Sequence, residues 1–112
     1  MTIGEFIASR RKSLGLTQKD LAQLIKKEGG DSISPQYLND IELGRRNPAS
    51  DRLLDQFAQH LAGENDRDDV LDQLYFLAGQ LPADVREGGY SPRAGADALK
   101  VFRKSLKQRR PK

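Results

Sequence analysis

Apolar residues recur at the three- and four-residue intervals of a helix in six stretches, and no segment alternates at period two over a strand's length. Ile3, Phe6, Ile7 and Leu14 predict a first helix, closed by Gly15 in the manner of a left-handed C-terminal cap. Arg11 falls on that helix's apolar face, so a guanidinium lies against the core and requires an acidic partner from elsewhere in the chain. Thr17 followed by Asp20 has the form of a capping box with Asp in place of Glu, and Leu21, Ala22, Leu24 and Ile25 continue the period, starting a second helix at about Gln18.

Lys26-Lys27-Glu28-Gly29-Gly30-Asp31-Ser32 has no apolar member and two glycines, so the second helix ends somewhere inside it. Ser34-Pro35 supplies a capping hydroxyl and a proline at the first helical position, where a missing N–H does no harm. The third helix turns Leu38 and Ile41 inward and stops at Gly44, and Arg45-Arg46-Asn47-Pro48 makes a polar link. Ser50 opens a fourth, with Leu53, Leu54, Phe57, Ala58 and Leu61 inward. After Gly63 the acidic stretch Glu64 to Asp69 opens a fifth, placing carboxylates at the positive end of its dipole ahead of Val70, Leu71, Leu74, Leu77 and Ala78. Gly79 to Pro82 breaks the pattern, and Gly88-Gly89-Tyr90-Ser91-Pro92 reads as a linker. A sixth helix begins at Ser91-Pro92, with Leu99, Phe102 and Leu106 on one side and Lys100, Arg103, Lys104 and Lys107 around them.

A chain of 112 residues holds one domain, or a small domain with an accessory segment. It has no run of about 18 apolar residues and no secretory leader pattern at its start, so a soluble, cytoplasmic protein is expected. Cysteine is absent, which excludes disulfides, thiolate zinc sites and cysteine nucleophiles. His60 is the single histidine and reads as a plain helix residue, since nothing completes a metal site around it. The run Asp66, Asp68, Asp69 lacks the loop glycine and distal Glu of a calcium loop, so a helix-dipole role is preferred. No metal or other cofactor is expected, and no triad, metal cluster or phosphate loop suggests an enzyme.

The net charge of +3 conceals a pattern: residues 1–63 hold nine cations and eight acids, 64–89 two and seven, and 90–112 eight and one. A basic end is compatible with nucleic acid, although solvated basic tails are common. The motifs carry the decision. Gly15-Leu16-Thr17-Gln18, Leu21-Ala22, the run Ile33-Ser34-Pro35-Gln36-Tyr37-Leu38-Asn39-Asp40-Ile41-Glu42, and Gly44-Arg45-Arg46-Asn47-Pro48 closely resemble the Cro/repressor-type helix-turn-helix of the xenobiotic-response-element (XRE) family. The resemblance covers about residues 3–62. One departure stands out: the family joins its second and third helices through a short turn of the form Gly-Val-Ser, whereas about six extra residues precede Ile33-Ser34 here. Either the second helix is longer, or the turn is a loop.

The resemblance implies an all-α, phage-repressor-like helix-turn-helix bundle of four core helices, with about two C-terminal helices beyond it. The third helix would enter the major groove. Gln36, Asn39 and Asp40 lie away from its Leu38/Ile41 face and are the expected base contacts, since Gln and Asn can pair bidentately with adenine and Asp can accept from cytosine. For Asp40, exclusion of wrong sequences or local pairing with Arg45 or Arg46 is an equal alternative, because phosphates repel a carboxylate. Expected backbone contacts are Gln18, where the family places a phosphate-binding side chain, with Arg10, Lys19, Ser34, Arg45, Arg46 and Asn47. Tyr37 either reaches phosphate or packs on the fourth helix. In the family, the Arg at the position of Arg11 pairs with the Glu at the position of Glu42, which would hold the recognition helix in place.

These readings assign residues 1–62 to DNA binding, 64–108 to a helical dimerisation or partner-binding extension, and 109–112 to a basic tail. The expected function is that of a transcriptional regulator, a repressor binding a double-stranded operator as a homodimer. Leu74, Leu77, Leu99, Phe102 and Leu106 are the candidate dimerisation residues, because two-fold pairing lets a small domain address two half-sites; the alternative is that Leu99, Phe102 and Leu106 cover the apolar face of the fifth helix within one chain. The competing reading is an antitoxin-like or adaptor protein whose C-terminal half binds a protein partner.

Overall fold

The computed structural model describes residues 1–48, 50–81, 83–88 and 91–109, with residues 83 and 107–109 described by their backbone alone. Among these the chain is all-helical, with α1 (Ile3–Ser13), α2 (Gln18–Leu24), α3 (Pro35–Glu42), α4 (Asp51–Leu61), α5 (Arg67–Leu77), α6 (Ala83–Glu87) and α7 (Pro92–Arg109). The first four start where local chemistry places them. Thr2 and Thr17 form capping boxes with Glu5 and Asp20, while Ser34 and Ser50 accept from the N–H groups of Tyr37 and Leu53. Each hydroxyl satisfies a backbone donor that the helix leaves without a partner.

The apolar stripes of α1 to α4 meet in one core that includes Ile7, Leu21, Leu38, Ile41, Leu54 and Phe57, all fully buried. α1 crosses the C-terminal end of α3 at very short range: a Cβ added to Gly4 would lie 2.3 Å from the Ile41 carbonyl oxygen and 2.7 Å from that of Glu42. Only a glycine permits this approach, and it sets the height at which α3 rests on the bundle.

The extra residues between the second and third helices form a small hairpin rather than a longer helix. α2 stops at Leu24, and Ile25 is already extended. The Ile33 N–H donates to the Ile25 carbonyl at 3.0 Å, Lys26 and Ser32 pair as an isolated antiparallel bridge, and the Lys27 N–H closes the turn on Asp31 at 2.7 Å. Both ends are anchored, because Ile25 and Ile33 enter the core. The Lys26 ammonium donates to the Gln23 carbonyl at 3.0 Å and to the Ser32 hydroxyl at 2.8 Å, and the Lys26 N–H donates to Gln56 of α4 at 3.2 Å.

The compact unit that contains these helices extends beyond residue 62, to Pro82. α5 packs along α4 and delivers Val70, Leu74 and Tyr75 into the same core. Leu74 is fully buried and Leu77 is half-buried against that core, which corrects their assignment to a dimer seam. The acidic start of α5 also differs from expectation in part. Asp68 and Asp69 do occupy its first turn, but Asp66 makes no side-chain cap and instead receives Arg10 of α1 and the Gly63 N–H.

A second unit spans Ala83–Lys112. It begins with α6, a five-residue helix that the apolar pattern did not announce, since too few residues are involved to establish a period. α7 follows with the Ala94 N–H donating to the Ser91 hydroxyl, as the Ser-Pro start implied. Its described side chains are exposed, Leu99 at 53%, Phe102 at 41% and Leu106 at 50% among them. Most of the basic tail expected at 109–112 lies outside the described residues. No described helix is long and apolar enough to cross a membrane.

Candidate nucleic-acid interface

α3 turns Leu38 and Ile41 into the core, which leaves Gln36 exposed at its first turn and Asn39 and Asp40 half-buried along its outer side. A chain of polar contacts runs behind that outer side. Arg11 Nε donates to Glu42 Oε2 at 2.8 Å and a terminal Arg11 nitrogen donates to Oε1 at 3.0 Å, a two-pronged pair whose side chains are only 10% and 6% exposed. The other terminal nitrogen of Arg11 donates to the Leu16 carbonyl at 2.9 Å. Hydrogen bonding to Glu42 raises the Arg11 pKa despite the opposing effect of burial, so the guanidinium stays charged. Glu42 Oε1 also accepts from the Gln18 amide at 3.0 Å, and the same amide donates to Asn39 Oδ1 at 3.1 Å. Arg11, Glu42, Gln18 and Asn39 therefore form one continuous network joining α1, α2 and α3.

The geometry is that of a rigid helix held at its C-terminal end, with its N-terminal turn and one polar edge open to solvent. A helix-turn-helix family model matches residues 7–56. The chain carries a Cro/repressor-type helix-turn-helix. This is a DNA-binding regulatory domain, and the matched segment runs from α1 through the hairpin into α4. No curated protein and no solved structure gives a significant match.

Within the helix-turn-helix, the residues singled out from sequence separate into three groups. The first is solvent-facing: Gln36, Lys19, Ser34, Arg45, Arg46 and Asn47 are exposed around the start and end of α3 and the start of α2. Arg46 lies over the Tyr37 ring at 5.3 Å from its centroid, and Tyr37 is half-buried against the core, so the packing reading of that residue describes its ring. Tyr37 also lines a cleft of about 550 Å³ beside the hairpin. Its lining carries two cations, Lys27 and Arg52, and two acids, Glu28 and Asp51.

The second group is engaged elsewhere. Arg10 donates to the Leu61 carbonyl at 3.1 and 2.9 Å and to Asp66 at 3.3 Å, so it joins α1 to the α4–α5 corner rather than facing phosphate. Gln18 has both amide hydrogens committed to Glu42 and Asn39, leaving no donor for a phosphate oxygen unless one of those bonds is given up. Asp40 accepts from Gln36 at 3.0 Å and sits 3.7 and 3.8 Å from Arg45 and Arg46. The local-pairing alternative describes this carboxylate, which draws the two guanidiniums toward α3.

The third group is structural, the Arg11–Glu42 pair. Gly4 belongs with it and was not singled out from sequence. Its only signal was a glycine inside an otherwise apolar helical pattern, which is ambiguous without knowing what lies opposite.

Proposed function

We propose that the protein is a cytoplasmic transcriptional repressor that binds a double-stranded operator as a homodimer, with Gln36 and Asn39 reading bases. The observation that carries this reading is the Gln18–Asn39 bond. It accepts through Asn39 Oδ1 and leaves the Asn39 amide hydrogens without a partner among the described residues, one turn from the exposed Gln36. An amide whose N–H groups are open and whose oxygen keeps a second lone pair can donate to adenine N7 and accept from N6, the two contacts of a bidentate pair. Lys19, Ser34, Arg45, Arg46 and Asn47 would neutralise or hydrogen-bond flanking phosphates, and Asp40 would orient the two arginines instead of touching a base.

The test is selection of a consensus from random duplexes at moderate salt, followed by titration over a salt series. The expected outcome is a defined half-site and log affinity falling linearly with log salt. Gln36→Ala should lose about 1–3 kcal/mol of discrimination at one position while leaving the salt slope unchanged. Recovery of no consensus overturns the reading. A second reading, an adaptor whose C-terminal half binds another protein, draws support from the exposed Leu99, Phe102 and Leu106. A strictly monomeric chain in sedimentation would favour it.

A further inference from the structure

The unit Ala83–Lys112 comprises thirty residues, and each described side chain from Ser91 to Leu106 is exposed. Units below about 40 residues ordinarily depend on a disulfide, a metal or association with another surface. The chain has no cysteine, and its only histidine is residue 60, outside this unit. Association remains. α7 carries Leu99, Phe102 and Leu106 as a stripe at i, i+3, i+7, flanked on one side by Lys100, Arg103 and Lys104. The segment 90–112 holds eight cations and one acid, so pairing α7 with another α7 brings like charges together.

The complementary surface is on α5. Its buried side is Val70, Leu74 and Tyr75, and its opposite side bears the exposed Asp69, Asp72 and Phe76 at the same i, i+3, i+7 spacing. This surface has an aromatic ring beside carboxylates, and α7 has an apolar stripe beside cations. An antiparallel pair of helices within one chain needs a connection of only about 2–5 residues. Here fourteen residues, 78–91, separate α5 from α7.

We infer that the protein dimerises by reciprocal exchange, with α7 of each copy lying along the acidic outer side of α5 of the other. The two contacts are equivalent by two-fold symmetry, and each neutralises the −5 of residues 64–89 with the +7 of residues 90–112. The inference rests on the dimeric reading proposed above and assigns its surfaces.

The experiment is sedimentation at low salt, without DNA, on the full chain and two charge-reversed forms, Lys100→Glu/Lys104→Glu on α7 and Asp69→Lys/Asp72→Lys on α5. Each reversed form alone should dimerise at least about tenfold more weakly than wild type, and a one-to-one mixture should regain wild-type affinity as a heterodimer. Weakening of both reversed forms followed by that recovery is specific to exchange between copies, since a cover within one chain is blind to mixing and an α7–α7 seam leaves the α5-reversed form at wild-type affinity. A wild-type dimer with no recovery on mixing overturns the exchange and leaves the dimer standing. An α5-reversed form that dimerises as tightly as wild type while the α7-reversed form does not indicates an α7–α7 seam and also overturns it. A monomeric wild type removes the dimer and the exchange together, while operator selection remains a separate measurement. If reversal on α5 unfolds its unit, Asp69→Asn/Asp72→Asn takes its place. That form should dimerise more weakly and with less dependence on salt, and wild-type behaviour from it overturns the exchange.

Discussion

A guanidinium on the core face of α1 is tolerable only with a full set of acceptors, and Arg11 has one: both Glu42 oxygens and the Leu16 carbonyl. Removing the carboxylate strands a buried charge. Glu42→Ala should therefore lower stability by about 3–5 kcal/mol in urea unfolding, and Arg11→Met in the same protein should recover part of the loss. An unchanged unfolding midpoint for Glu42→Ala would remove the pair from the account of how α3 is held. His60 makes a pH-dependent contribution of its own. Burial, and then the charge of Lys26, lower its pKa below the ordinary 6.5, so the unfolded chain takes up the proton first. Stability should be complete above pH 6.5 and decline as pH falls below it, and His60→Gln should flatten that limb. Losses from the capping carboxylates lie lower, below 4.5 for Glu5 and 3.8 for Asp20, because hydrogen bonds from Thr2 and Thr17 depress both. A limb below 6.5 that survives His60→Gln would contradict the assignment.

Among the elements, α1 meets α3 at very short range. Gly4→Ala drives a methyl group into two backbone carbonyls that have no flexible side chain to yield, so the helices must separate. A cost of about 1–3 kcal/mol is expected in thermal unfolding, on the scale of other overpacked contacts. A melting temperature equal to wild type would mean that α1 shifts freely on α3. The hairpin between α2 and α3 shows how an insertion can leave the recognition helix in place. Ile25 and Ile33 sit opposite each other in the core, so the added length closes on itself outside the bundle and the ends of α2 and α3 stay near each other. The alternative of a longer α2 fails because Lys26 to Ser32 offers no apolar side chain to continue the buried stripe.

For the molecule as a whole, the boundary of the N-terminal unit matters to any truncation. A protein ending at residue 63 lacks α5 and uncovers the side of α4 on which Val70, Leu74 and Tyr75 rest, each burial contributing about 1.5–3 kcal/mol. A protein ending at residue 82 keeps that core whole. Melting curves should show the longer form unfolding cooperatively near the full chain and the shorter form far below it or already unfolded. Equal melting temperatures for the two would detach α5 from the fold.

The sequence by itself determined where the first five helices and α7 begin, because a cap, a proline or an apolar period acts over a few neighbouring residues and needs nothing distant. Thr17, Ser34-Pro35, Ser50 and Ser91-Pro92 each open a helix at the position their chemistry demands. It also carried the helix-turn-helix motif and the need of Arg11 for an acid, which a helical wheel exposes. Tertiary structure alone decided which polar groups remain available. Arg10, Gln18 and Asp40 look like DNA contacts from their residue types, yet each is engaged by a partner. For Arg10 and Gln18 that partner lies 51 and 21 residues away, and no local pattern encodes such a distance. The same holds for α5, whose apolar stripe is equally legible as a dimer seam or as core. The choice between them follows from α4 presenting its own buried face to the side where α5 lands.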